Sequence, residues 1–298
     1  MRMQANRSLP APFFTVVVPV HDGANYLEEA LASITAQSFP GWECCIIDDG
    51  SSDASADIAR SWIQDQSQRA VLIHHEGGAR RRVAASRNAG VAAARAPWIA
   101  FLDQDDVWMP DKLALQAEFI SERPRLDAVG CWPELFFDGV PAMPFLEDWA
   151  RMIYRLDADR AAALGLGDFV AGCLFCMSGV VARKAALQEQ GGFEPALRGT
   201  SDWLMWACMA ARRPLGMLPV PLVTYRIHGA NELLKLHAPT MGLPRALVEL
   251  HTHLARRLAR DRDMTEAEAV ALVKTLFLET GEAWLRSFNE PASPIQPT

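Results

Sequence analysis

Two acidic clusters mark where this chain could do chemistry. The first, Asp103-Gln104-Asp105-Asp106, places three carboxylates within four residues. Like charges this close repel by about 1 kcal/mol or more per pair even when hydrated. A divalent cation, Mg2+ or Mn2+, removes that cost, since such ions take one or two carboxylates and fill their other positions with phosphate oxygens and water. The alternative is a solvated acidic turn that caps the next helix. The second cluster, Asp48-Asp49-Gly50-Ser51-Ser52, offers a carboxylate able to accept from a base N–H or a ribose hydroxyl. The same residues also suit a helix start, with the serines as N-cap and Asp53 in the first turn.

Both clusters end apolar runs. Phe14 to Pro19 and Trp42 to Ile47 read as buried strands, Val71 to Ile73 as a third and Trp98 to Leu102 as a fourth. Between them, Asn25–Gln37, Ser52–Asp65 and Val83–Arg95 carry apolar residues at helical spacing, and Pro110 opens another helix. This alternation predicts an α/β fold with a mostly parallel sheet flanked by helices on both faces. In such sheets ligands bind at the carboxyl ends of the strands, where both clusters fall. Phe169–Arg183 reads as strands or a hairpin, Ser201–Ala211 as a short helix with Asp202 in its first turn, and Leu222–His228 as a last strand. Leu243, Leu247, Leu250, Leu254 and Leu258 form a helical stripe, and Thr265-Glu266-Ala267-Glu268 is a capping-box pattern opening a further helix.

A net charge of −7 argues against a nucleic-acid partner. The opening MRMQANRSLPAPFF does not read as a leader, and no stretch reaches the roughly 18 apolar residues of a membrane span. Cytoplasmic placement, with peripheral contact to the inner face of the membrane left open, is the expectation. The six cysteines lie mostly in apolar segments and read as buried free thiols; Cys173 and Cys176 are a lone pair without the second pair of a zinc site.

Three segments taken together resemble glycosyltransferase family 2, inverting enzymes of the GT-A fold: PVHDGANYLEEALASITAQSFPGWECCIIDDGSSD, RNAGVAAARAPWIAFLDQDDVWMPDKL and GGFEPALRGTSDWLMW. The resemblance covers about residues 13 to 228. It implies a GT-A catalytic domain over 13–235, with a nucleotide-binding half (13–125) and an acceptor half (126–235). A C-terminal helical appendage follows over 236–290, then a Pro-rich disordered tail at 291–298. Residue by residue, it implies that Asp49 bonds the nucleotide base and that Pro19, Val20 and His21 line the nucleotide. Asp106 is the main metal carboxylate of the DxD-type motif, with Asp103 supporting the metal and Asp105 on the ribose side. Asp202 is the catalytic base. Arg87 falls at the donor site, while Arg226 and His228 in YRIHGAN are candidates for contact with the diphosphate. The partners so implied are a nucleotide-diphosphate sugar, with UDP the usual nucleotide, and a glycan, lipid-linked or other hydroxyl acceptor.

The chain departs from the family pattern at three places. Arg80, Arg81 and Arg82 lengthen the loop before Arg87, and read either as a clamp for a diphosphate or anionic acceptor or as a solvated basic loop. Ser201 stands where Glu is frequent, and His21 where an aromatic is common. The basic residues Arg256, Arg257, Arg260 and Arg262 could face a membrane or solvent, while the leucine stripe packs on the catalytic domain or on a second copy in a homodimer. Other readings fit less well. A dinucleotide oxidoreductase would need GxGxxG after the first strand, where Gly23 stands alone. A nucleotidyltransferase would need a Gly- and Lys-rich loop there. A non-catalytic nucleotide-sugar-binding or partner-binding subunit of the same fold stays open.

Overall fold

The computed structural model describes residues 11–66, 69–156, 158–170, 172–231, 234 and 243–289, so the expected tail at 291–298 lies outside the described residues. The first four strands are β1 (Phe14–Val20), β2 (Trp42–Asp48), β3 (Ala70–His74) and β4 (Trp98–Phe101). Their helices are α1 (Leu27–Thr35), α2 (Ser55–Asp65), α3 (Arg82–Ala93) and α4 (Lys112–Glu122). A short strand β5 (Val107–Trp108) follows the second acidic turn. The chain continues through β6 (Ala128–Phe137), α5 (Pro144–Tyr154), α6 (Ala158–Ala161), α7 (Leu166–Val170), β7 (Val181–Arg183), α8 (Lys184–Glu189), α9 (Ser201–Ala210) and β8 (Gly216–Ile227). Helices α10 (Leu243–Asp261) and α11 (Glu266–Asn289) close the chain.

One sheet runs in the order β3-β2-β1-β4-β7-β6-β8-β5. The β3-β2-β1-β4 half is parallel, as the alternation predicts. Beyond β4 the sheet is mixed, because β7 is antiparallel to both β4 and β6, while β6 and β8 are parallel. Side-chain alternation splits the core between the two faces. In β1, Phe14, Val16, Val18 and Val20 pack with Leu27, Leu31 and Ile34 of α1, whereas Val17 packs on the opposite face with α3 and α9.

The expected hairpin over Phe169–Arg183 does not form. That segment is α7, a 3-10 turn at Met177–Gly179 and only three strand residues. A continuous apolar run cannot be assigned to strand or helix by periodicity, and here Phe169, Leu174, Phe175 and Met177 are all buried. The capping box is present: Glu268 N–H donates to Thr265 Oγ1 at 3.2 Å and Thr265 N–H to Glu268 Oε2 at 2.8 Å. The leucine stripe joins the α9 side of the core, with Leu250, Leu254 and Leu258 each no more than 2% exposed. Three of the four arginines of the expected basic set bond within the chain: Arg257 donates to the Gln190 carbonyl at 2.8 Å, Arg262 to that of Ala211 at 2.6 Å and Arg256 to Glu266 at 3.1 Å. Among the described residues no helix is long and apolar enough to cross a membrane. All six cysteines are free, and burial pushes the Cys45, Cys131 and Cys208 thiols up to about 11.

Candidate active site

The two acidic turns lie at the ends of β2 and β4, with β1 between them, so they share one rim about 10 Å apart, two strand spacings. The turn after β2 is tied to the loop after β1. Ser52 N–H donates to Asp22 at 2.7 Å, Ala24 N–H to Asp53 at 2.9 Å and Gly23 N–H to Ser55 at 2.8 Å. The serines therefore bond across the rim, and α2 begins at Ser55 without the expected side-chain cap. Asp49 is 3% exposed, and its two oxygens accept the Arg81 and Arg82 amides at 2.5 and 2.7 Å. It thereby caps α3, a role its turn position did not announce. Pro19 and Val20 are buried within β1, so they offer a wall rather than side-chain contacts. His21 is held differently. Its N–H donates to Gln104 Oε1 at 2.8 Å and its carbonyl accepts from Gln104 Nε2 at 3.1 Å. A Cβ on Gly23 would stand 2.4 Å from that Gln104 side chain, so only glycine admits the clamp. His21 Nδ1 is buried with no partner among the described residues.

The Asp103–Asp106 turn divides its carboxylates between the rim and the interior. Asp106 points inward: it is 1% exposed, accepts the Ser178 hydroxyl and the Arg226 N–H (2.9 Å), and burial beside Asp105 and Asp103 holds its carboxyl well above the usual range. Ser178 Oγ also accepts the Asp103 N–H at 2.9 Å, and its carbonyl accepts the Trp108 indole at 2.7 Å, so one buried serine fixes the whole turn. Asp105 faces the rim, where its Oδ2 is 2.9 Å from His228 Nε2 and 3.2 Å from Asn231 Nδ2. Asp103 accepts Arg87 Nη2 at 2.8 and 3.0 Å; burial raises its carboxyl, Arg87 opposes that, and Asp105 reinforces it.

Burial works against charge on Arg87, yet Asp103 and then Asp202 hold its guanidinium above the ordinary value. Asp202 lies in the first turn of α9, and its charge acts on both Arg87 and Asp103. The Arg87 Nε–H is buried without a partner among the described residues. Arg226, expected to reach a diphosphate, is instead fully engaged: it donates to Glu29, to Asp138 at 3.1 Å and to the Asp105 carbonyl at 2.9 Å, between the Tyr26 and Phe136 rings. Its position at the inner end of β8 makes it a structural cation, since a charge only 8% exposed requires paired partners. The structure thus gathers Asp103, Asp105, His228 and Arg87 at one basin, with Asp202 near enough for its charge to act on Arg87 and Asp103, puts Asp49 and His21 along the rim, and sets Asp106 and Arg226 behind it.

Asn88 escaped the sequence reading although it follows Arg87. Its amide donates to the Phe193 carbonyl and its oxygen accepts the Phe193 N–H, both at 2.8 Å. Gln104 and Ser178 were also missed. An uncharged residue inside an acidic motif was the available signal for the first; for a serine in a distant apolar segment there was none.

No three His, Cys, Asp or Glu side chains among the described residues converge into a complete metal cage. Asp105 and His228, with Asp103 beside them, make a partial set of oxygen and nitrogen donors in a site crowded with buried carboxylates. That suits an ion completed by substrate phosphate oxygens and water.

Comparisons with known proteins bear on the family and the fold. The chain is 31% identical over 196 residues to the putative teichuronic acid biosynthesis glycosyltransferase TuaG of Bacillus subtilis, covering 65% of this chain and 71% of that protein. It is 32% identical over 224 residues to the uncharacterized glycosyltransferase alr2836 of Nostoc sp., covering 73% of this chain and 65% of that protein. Its fold matches S. aureus TarS 1-349 in complex with UDP at a TM-score of 0.65 and 19% identity, over 92% of this chain and 73% of that one. It also matches the mannosyltransferase PcManGT of Pyrobaculum calidifontis, in complex with GDP-Man and Mn2+, at a TM-score of 0.59 and 19% identity, over 96% of this chain and 77% of that one. At such identities these likenesses establish the fold, which is GT-A. The glycosyl transferase family 2 model matches residues 15–182, more than half of the 298-residue sequence, and on that match the chain belongs to this family of glycosyltransferases.

Proposed function

We propose that the chain transfers a sugar from a UDP-sugar to an acceptor hydroxyl in one inverting displacement. The observation that carries this reading is the basin itself, in which the rim carboxylate Asp103 holds the buried Arg87 at 2.8 Å while Asp105 and His228 stand 2.9 Å apart. The UDP complex of TarS and the GDP-Man and Mn2+ complex of PcManGT support the choice of a nucleotide-sugar donor.

Asp202 takes the acceptor hydroxyl proton as that oxygen bonds to the anomeric carbon. The bond from the anomeric carbon to the diphosphate oxygen breaks, and its electron pair leaves with the nucleotide. Attack opposite the leaving group inverts the centre. Arg87 offers its unpartnered Nε–H to a ligand oxygen in a water-poor setting, where such a donor is worth most. His21 Nδ1 and Asp49 line the nucleotide end. Asp105 and His228, supported by Asp103, would hold Mg2+ or Mn2+, in place of the expected Asp106, whose oxygens are engaged inside the turn. When bound, that ion supplies charge neutralisation for the departing diphosphate. Six free thiols suit a reducing compartment, which supports a cytoplasmic setting.

Calorimetry of UDP binding with and without Mn2+, followed by donor turnover, tests the proposal. Metal-dependent UDP binding that survives in Asp202→Asn, while transfer falls on the order of a hundredfold or more, is the expected result. UDP binding without any turnover of a UDP-sugar would instead favour a non-catalytic nucleotide-sugar-binding subunit. Absence of UDP binding would refute the donor assignment.

A further inference from the structure

The acidic turn rests against the last residues of β8. Val107 pairs with Thr224, and Arg226 donates its backbone N–H to Asp106 and its Nε–H to the Asp105 carbonyl, both at 2.9 Å. Tyr225, between Thr224 and Arg226, stands beside that turn. Successive side chains of a strand point to opposite faces. Arg226 and His228 share the Tyr26 side, 5.1 and 4.6 Å from its ring centre. Tyr225 takes the other side, where its ring meets that of Trp149 from α5 edge-on, with centroids 6.3 Å apart. Both rings are half-buried. The Trp149 indole N–H is already bound to the Cys173 carbonyl at 2.7 Å, which fixes that ring as a wall. The Tyr225 hydroxyl has no hydrogen-bond partner among the described residues, whereas the Tyr154 hydroxyl donates to the Pro133 carbonyl. Burial, reinforced by Cys176, Asp106, Asp105 and Asp103, holds the Tyr225 hydroxyl well above the ordinary phenol range, so it stays an O–H donor.

A free hydroxyl beside a fixed aromatic ring suits a sugar, which offers hydroxyls to the first and an apolar C–H face to the second. The order of the sheet says which sugar. The nucleotide end, at Asp49, follows β2; the acidic turn follows β4; and β8 lies further along the sheet in the same direction. A donor laid from Asp49 across Asp105 and His228 brings the unit beyond its diphosphate, the transferred sugar, toward β8. Tyr225 and His228 point to opposite faces of that strand end, so they serve different parts of one ligand. We propose that Tyr225, with Trp149 behind it, is a specificity-determining contact for the transferred sugar and donates its O–H to a hydroxyl of that ring. The assignment rests on the UDP-sugar reading above.

The test measures the Kd of UDP, UDP-glucose, UDP-galactose, UDP-N-acetylglucosamine and UDP-glucuronate, each with Mn2+, for wild type, Tyr225→Phe and Tyr154→Phe. The readout is the Kd of the UDP-sugar that wild type binds most tightly, divided by the Kd of UDP, a ratio in which nucleotide, diphosphate and metal contacts cancel. Tyr225→Phe keeps the ring and removes one hydrogen bond, so the ratio is expected to rise about three- to tenfold while the Kd of UDP stays within about twofold. Tyr154→Phe, whose lost hydroxyl was bound inside the protein, leaves the ratio unchanged. An unchanged ratio in Tyr225→Phe overturns the proposal. So does an equal loss of UDP and UDP-sugar affinity, which reassigns the hydroxyl to the diphosphate, and so does the same rise in Tyr154→Phe, which marks a general loosening. If wild type binds UDP but none of the four UDP-sugars, the nucleotide assignment stands and the sugar contact falls. If wild type does not bind UDP, the UDP-sugar reading falls and takes the proposal with it, so the two failures are told apart.

Discussion

Asn88 and Phe193, 105 residues apart, exchange two hydrogen bonds of 2.8 Å, one in each direction. The pairing welds the turn at Gly191–Phe193 to α3 one residue after Arg87, whose guanidinium lies 5.9 Å from the Phe193 ring. Gly192, at φ 81°, is what lets the chain approach so closely, since a Cβ there would stand 2.6 Å from Asn88 Oδ1. This turn leads into Thr200 and the first turn of α9, so the clamp fixes Arg87 and Asp202 relative to each other. Asn88→Ala removes both bonds and strands a backbone N–H and C=O, at a cost of about 2–4 kcal/mol. Urea denaturation should show a correspondingly lower midpoint, and an unchanged midpoint would show that the clamp is dispensable.

Asp105 and Asp106 are adjacent and of one type, yet the structure gives them opposite tasks. Asp105→Ala removes contacts to His228 and Asn231 at the rim and is expected to abolish any Mn2+-dependent gain in UDP affinity with a smaller change in melting temperature than Asp106→Ala. Asp106→Ala leaves the Ser178 hydroxyl and the Arg226 N–H without an acceptor in a buried setting, which costs about 2–5 kcal/mol. Thermal melts and UDP calorimetry on the two variants separate the roles. If Asp106→Ala melts like wild type while losing metal dependence, Asp106 is the ligand and the rim assignment is wrong.

The parallel half of the sheet was legible because its strands are short, β-branched and separated by helices with a clear apolar stripe. The acidic turns were legible because clustered carboxylates at strand ends are expensive without a reason. What could not be read was direction. Asp103, Asp105 and Asp106 are indistinguishable in sequence, and only the Ser178 hydroxyl and the β8 backbone, contributed from far along the chain, decide which one turns inward. Arg226 shows the same limit: nothing near it in sequence announces Glu29 and Asp138, which the fold brings to it from 197 and 88 residues away. The segment over Phe169–Arg183 failed differently, since burial on all sides removes the alternation that separates strand from helix.

Lys112 is wholly buried, donates to Gln116 at 2.8 Å and lies 4.3 Å from the Trp108 ring centre, with no ion pair to a carboxylate among the described residues. Burial pulls its ammonium down to about 8. Below pH 8 the folded and unfolded chains both carry this proton, and the fold bears the full cost of a buried charge. Between about pH 8 and the ordinary lysine value near 10.4 the unfolded chain alone keeps it, so this residue's contribution to stability rises with pH. Relative to Lys112→Met, wild type should gain about 2 kcal/mol between pH 7 and pH 9.5. Chemical denaturation at the two pH values measures the difference, and a constant gap would mean that Lys112 titrates as it does in water.

The two C-terminal helices read from sequence as an appendage, yet Leu254 of α10, 1% exposed, is part of the same apolar cluster as Trp206 of α9. Arg257 and Arg262 extend that attachment to the carbonyls of Gln190 and Ala211, which lie on either side of α9. Because α9 carries Asp202 in its first turn, packing behind it should govern the placement of the proposed base. Leu254→Ala is expected to cost about 2–5 kcal/mol through the cavity it leaves, and to lower kcat several-fold while KM for the donor stays near its wild-type value. Val248→Ala on the same helix serves as the control. That side chain is 66% exposed, and its loss should change stability by no more than about 0.5 kcal/mol. A detachable appendage would behave otherwise: Leu254→Ala would unfold α10 and α11 in a separate, earlier transition and leave kcat unchanged.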